Sequence, residues 1–280
     1  MNYKAIFNRR NIGKIVIFAA VFIITVAFML PIIWQYISAF KPPQAVMAYP
    51  PTLKFKPTLT NYYDLQETRQ VLRHLKNSIL IVGGATAISV FMSILAGYSL
   101  ARFQFKGGKN IAFILLILTM IPTITLIIPI YDIMRKIQLL GSPFAIILVY
   151  IAIILPFNIW LMRGFFTGVP KDIEEAALID GCSRIRVLFN IVIPISKPGI
   201  FATTIFSLMF AWGDFVFAGV LGNKSSFTLP VIGAQIEGKY GSTWGQLAAL
   251  VLVISLPMIL FSIFAQKYLV EGLTHGAVKG

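Results

Sequence analysis

The chain has 280 residues, of which 58% are apolar and only 12% charged, against about 45–50% and about 25% in a soluble domain. With a mean hydropathy of +0.83, it reads as an all-α, polytopic membrane protein. The net charge of +14 is spread as Lys and Arg between apolar runs, with no basic cluster among aromatics. That excludes a nucleic-acid partner and fits loops anchored at a membrane face.

One cysteine, Cys182, and two histidines, His74 and His275, rule out a disulfide framework and a Cys/His metal cluster. No cofactor, metal or catalytic residue is expected. Cys182 reads as a small residue beside a contact surface.

A membrane helix needs roughly 20 apolar residues. Six stretches qualify: 15–38, 78–101, 111–131, 143–164, 197–221 and 246–267. Residues 1–14 carry Lys4, Arg9, Arg10 and Lys14, a basic lead like that of a signal sequence. The run behind them is too long for a cleaved signal and no A-x-A site follows, so it reads as a retained span.

Residues 39–77 contain Pro42, Pro43, Pro50, Pro51 and Pro57, which favour extended or turn structure. A short amphipathic helix over 62–77 would lead into the second span. Residues 78–267 then form a core of five spans, and 222–245 an ordered external loop. Six spans put both termini on one side. That side carries 14 Lys and Arg and the other 10, six of these in the long 39–77 segment, where charges count for less. Both termini, the loop 165–196 and the tail 268–280 are therefore expected in the cytoplasm, with 39–77 outside.

The loop between the fourth and fifth spans holds the densest pattern. Glu175-Ala176-Ala177 is followed after three residues by Gly181 and after nine more by Ile191-Val192-Ile193-Pro194. Pro170 suits a first helical position, and Asp172, Glu174 and Glu175 fill a first turn where acids favour the helix dipole. Asp172 and Glu174 are explained equally well by the dipole alone. Ile173, Ala176, Ala177 and Asp180 fall near one face, and the alanines and Gly181 remove bulk so that another surface can seat closely. Gly181 also lets the chain turn. A second helical run is expected over Ser183–Val192, capped by Ser183 and ended by Pro194 and Pro198.

This spacing resembles the signature loop of importer-type ATP-binding-cassette permeases, of the binding-protein-dependent inner-membrane component family. Ile193 stands where leucine is usual. Trp212-Gly213-Asp214-Phe215, Thr228-Leu229-Pro230 and the tail Gly272–Gly280 are similar to the smaller of the two permeases of maltose-type carbohydrate systems. His275 stands where a small residue is common. The resemblance implies import of a mono- or oligosaccharide across the inner membrane of a prokaryote. It also implies a second, non-identical permease, an ATPase dimer and an extracytoplasmic solute-binding protein as partners, besides membrane lipid. It assigns ATPase coupling to Glu174, Glu175, Ala176, Ala177, Asp180, Gly181, Ile191 and Pro194, and a tail contact to Thr274, Gly276 and Lys279.

No P-loop is present, since Gly107-Gly108-Lys109-Asn110 lacks the spacing and the Ser/Thr. The chain is therefore no ATPase, and a partner must supply the energy. Asp214 is the one acid inside the expected spans. An intramembrane carboxylate is by default a functional candidate, so Trp212, Asp214 and Phe215 are the pathway candidates. Two alternatives stand beside the sugar importer. One is the same machine for a non-sugar solute such as a glycerophosphodiester; the other is a proton-coupled carrier using Asp214.

Overall fold

The computed structural model describes residues 9–236 and 242–277, with side-chain surroundings for 13–236 and 244–263. Regular structure in the described residues is entirely helical. The first half runs α1 (Arg9–Ala39), α2 (Pro43–Val46), α3 (Thr60–Arg69), α4 (Val71–Arg102), α5 (Gly108–Thr119), α6 (Ile127–Lys136) and α7 (Pro143–Gly168). The second runs α8 (Lys171–Ile179), α9 (Arg184–Val187), α10 (Ile193–Ile195), α11 (Lys197–Gly213), α12 (Val216–Leu221), α13 (Leu229–Ala234) and α14 (Ser242–Ala277). Four of these, α1, α4, α7 and α14, are long and apolar enough to cross a membrane. Two bent pairs raise the number to six if each is one span.

The structure departs from six straight spans at several helix breaks. The third expected span turns by 93° between α5 and the segment opening at Thr123. Pro122 explains the break: it brings no N–H to the preceding turn and disfavours helical backbone at Ile121. The fifth expected span stops at Gly213, and α12 starts afresh at Val216. Asp214, in extended backbone (ψ 129), accepts from the Phe217 and Ala218 amides at 3.1 and 3.2 Å. A short acid that caps a new helix in this way ends the old one. The expected helix over 62–77 is likewise split. Gln70 adopts a left-handed conformation (φ 50) between α3 and α4.

The chain divides into two compact units. One comprises Met1–Arg69 with Ile236–Val253, the other Gln70–Gln235 with Ile254–Gly280. In the first, the buried Asn61 amide donates to the Ala39 and Lys41 carbonyls at 3.0 and 2.8 Å. Gly245 is required there, because the Asn61 amide fills the space a Cβ would take. The Lys41 ammonium lies 3.9 Å from the centre of the Trp34 ring, and desolvation lowers its pKa.

The second unit is organised on α4 and α7. They approach closely at Gly97, where an added Cβ would lie 2.9 Å from the Met162 Cβ and 3.0 Å from the Arg163 amide nitrogen. Small residues at such crossings let membrane helices approach and gain dispersion contacts. Asn158 of α7 joins three helices, donating to Ser89 Oγ of α4 at 3.0 Å and to Ser207 Oγ of α11 at 2.8 Å. Overpacking a filled crossing costs typically about 1–3 kcal/mol. Gly97→Leu is therefore expected to lower the unfolding temperature in detergent and the yield of monodisperse protein, whereas Gly83→Leu, whose Cβ meets nothing, leaves both unchanged.

The segment after α12 is tied to the start of α4. Asn77 donates to the Ser225 carbonyl at 2.7 Å, and the Leu229 amide donates to Ser78 Oγ at 2.8 Å.

Candidate coupling site

α8 begins one residue later than expected, with Pro170 as its N-cap and Lys171 as its first residue. Asp172 and Glu174 fill the first turn, but Glu174 does more than meet the dipole. It is 4% exposed. Its Oε1 pairs with Arg102 Nε at 2.6 Å, and its Oε2 accepts from the Tyr98 hydroxyl at 2.8 Å. The same guanidinium donates through Nη2 to the Val169 carbonyl at 2.9 Å. Glu174 thus ties the first turn of α8 to the last turn of α4, and Arg102 ties that turn to the end of α7. A charged pair of this kind is held by several hydrogen bonds at once.

The lock stands on an apolar floor. Val90, Ile94 and Tyr98 of α4, Met162 and Phe166 of α7, and Val187, Leu188 and Val192 of the loop form one buried cluster. Tyr98 meets the Phe166 ring edge-on at 5.9 Å. Ala177, Leu178, Cys182 and Ile191 pack against this cluster, partly buried. The α8 face carrying Glu174, Ala177 and Leu178 therefore looks into the protein, as residues at i, i+3 and i+4 share a face.

The opposite face is open. Glu175, Ala176 and Asp180 are exposed. Ile179 is 86% and Ile185 71% exposed. Gly181 turns the chain between α8 and α9 in a left-handed conformation, φ +82, with nothing within 4 Å of an added Cβ. Ser183 caps α9 as expected, accepting from the Arg186 amide at 3.3 Å.

Beyond α9 the expected stop at Pro194 is replaced by a continuation. Leu188–Val192 form a single π-turn, and Pro194 sits inside α10. A π-turn widens the helix just where the proline lacks its N–H, so the segment carries Pro194 without breaking. The bend of 79° falls at Ser196 instead, and Pro198 opens α11.

The eight residues expected to form the contact thus fall into different settings. Glu175, Ala176, Asp180 and Gly181 share the open side; Ala177 and Ile191 lean on the cluster, and Pro194 is exposed within α10. Glu174 is turned to the chain's own α4. Exposed Ile179 and Ile185 were not singled out from sequence, although two isoleucines in a polar loop are a readable signal. Thr274 and Gly276 lie in α14, where side-chain surroundings are not described, and Lys279 lies outside the described residues.

Of the expected pathway trio, Trp212 and Asp214 make hydrogen bonds within the bundle. Trp212 is 4% exposed and donates to the Ile254 carbonyl at 3.0 Å. Asp214 accepts from the Tyr150 hydroxyl at 2.9 Å besides capping α12. Phe215 is half exposed. A cavity lined by Leu118, Ile121, Pro156 and Phe210 lies elsewhere in the second unit.

A helical bundle of four to six spans, carrying a helical loop braced on its own span ends, is the architecture of a membrane permease. Residues 89–275 match the family of binding-protein-dependent transport system inner membrane components, and the chain belongs to that family. It is 32% identical to the trehalose/maltose transport system permease protein of Thermococcus litoralis over 271 residues, 95% of this chain and 97% of the relative. To the sulfoquinovosyl glycerol transport system permease protein of Agrobacterium fabrum it is 34% identical, covering 96% and 95%. Among solved structures, a bacterial ABC transporter involved in import of the acidic polysaccharide alginate superposes with a TM-score of 0.81 at 21% identity. That match covers 94% of this chain and 99% of the other.

Proposed function

We propose that the chain is a permease subunit of an ATP-driven sugar importer, with residues 170–195 coupling a separate ATPase to the bundle. The observation carrying this reading is the two-faced α8. Its inner face is locked to α4 through Glu174, while Glu175, Ala176 and Ile179 are presented outward. A partner pressing on the outer face would move α4 and α7 through the lock and the cluster beneath it. Ile179 and Ile185 supply the exposed apolar anchors such a contact needs, since contact energy concentrates in a few desolvated side chains.

Names of the relatives support a sugar or sugar derivative as cargo. In this reading the loop and both termini face the cytoplasm, 39–77 lies outside, and a second, non-identical permease and a solute-binding protein complete the machine. The proton-carrier alternative is disfavoured because Asp214 Oδ2 is engaged by Tyr150, Phe217 and Ala218.

Uptake measured in cells with the proton gradient collapsed and ATP maintained tests the reading. Uptake is expected to persist there and to stop on ATP depletion. The reverse pattern contradicts it.

A further inference from the structure

We infer that the turn joining α4 to α5, with Arg184 of α9 beside it, is a docking surface for anionic phospholipid. Only the leaflet, the cytoplasmic one, rests on the orientation proposed above. α4 ends at Arg102 and α5 begins at Gly108, and each belongs to a candidate membrane span. The short connection between them is therefore held at the bilayer surface.

The turn offers groups for both layers of that surface. Gly107 closes it in a left-handed conformation, φ +93, and the Phe105 ring lies over Gly108, 3.4 Å from where a Cβ would stand. Phe103 and Phe105 are 42% and 43% exposed, and Lys106 and Lys109 are exposed beside them. Rings next to lysines suit the headgroup boundary, where the ring enters the acyl edge and the ammonium stays in water. A soluble acidic partner would meet the cations, but a turn this short between two spans keeps the rings at that edge.

Arg184 adds a third cation. Its guanidinium lies 5.3 Å from the centre of the Phe103 ring and pairs with no carboxylate among the described residues. Its N–H fork matches the geometry of a phosphate. No Asp or Glu occurs between Arg102 and Asn110, so the turn has no counter-charge of its own. A headgroup with net negative charge supplies one, whereas a zwitterionic headgroup brings its own cation with it. Phe103 also meets the Tyr98 ring edge-on at 6.4 Å, which sets the lipid contact one ring away from the Glu174 lock.

The test reads lipid contact at Gln104→Cys, labelled with bimane in a Cys182→Ser background. The full chain is placed in nanodiscs doped with phosphatidylglycerol or phosphatidylcholine carrying the same nitroxide high on the acyl chain. A cation near an anionic surface is worth about fivefold in affinity, so quenching by phosphatidylglycerol is expected to exceed that by phosphatidylcholine at least threefold. The preference should vanish when Lys106→Gln, Lys109→Gln and Arg184→Gln are combined, with the unfolding temperature kept close to wild type because all three are exposed. It should also vanish for the three native cations at about 0.5 M salt, where exposed charges are screened, an arm that needs none of these substitutions. Inorganic phosphate at millimolar concentration should leave it unchanged. Equal quenching by the two lipids, a preference that survives the triple substitution or high salt, or its loss to inorganic phosphate overturns the inference. Loss of quenching on binding of the ATPase would give the surface to that protein and also overturn it. Neither cargo nor ATP enters the lipid measurement, so its failure leaves the importer reading intact. Proton-driven uptake would sink that reading alone.

Discussion

Glu174→Ala is expected to disconnect the loop from the bundle. Removing the carboxylate leaves the Arg102 guanidinium, 5% exposed beside it, without its counter-charge, and breaking a buried pair by one partner costs about 3–5 kcal/mol. The Tyr98 hydroxyl loses its acceptor as well. Insertion should survive, because the α4–α7 crossing at Gly97 lies outside the lock. In the reconstituted transporter, cargo-stimulated ATP hydrolysis should drop at least tenfold, with a lowered unfolding temperature. A double variant, Glu174→Leu with Arg102→Met, should recover the unfolding temperature, since an apolar pair of similar volume often replaces a buried ion pair without loss. Wild-type stability and coupling in the single variant would show that the lock is ornamental.

Gly181→Leu should abolish uptake while leaving insertion intact. The reason is conformational: at φ +82 an L side chain costs roughly 1–2 kcal/mol, and relaxing that strain re-aims α9 and its Ser183 cap. Because an added Cβ meets nothing within 4 Å in the chain itself, backbone strain can be separated from crowding by a partner. Gly181→Asn, which tolerates the left-handed region, should keep most of the uptake. If Asn fails as completely as Leu, the partner's surface rather than the turn demands glycine here.

The spans were readable because about 20 apolar residues have few other homes. The breaks were less so. Pro122 lies inside the third expected span, but a bend of 93° depends on what packs around it. Asp214 was readable as an unusual acid, yet its role as cap depends on α12 starting two residues later. Gln70 in a left-handed conformation has no local signature. In the loop, Gly181 and Ser183 act as their residue types suggest, since their roles are local. The sequence set Glu174 apart from Glu175 only as an acid that the helix dipole could explain, and its inward lock was not legible. Its role is set by Arg102 and Tyr98, more than 70 residues earlier, which share a face of α4 only because they lie four apart. Pro194 misled because a π-turn, set by the packing of Leu188 and Val192, absorbs it.

The central claim is that the outer face of α8 docks on a cytoplasmic ATPase. A single cysteine at Ile179, in a Cys182→Ser background, tests it with a membrane-impermeant maleimide. The account predicts no labelling in intact cells, rapid labelling in inverted vesicles stripped of ATPase, and at least tenfold protection when the ATPase is bound. Labelling from outside intact cells, or equal labelling with and without the ATPase, would contradict it.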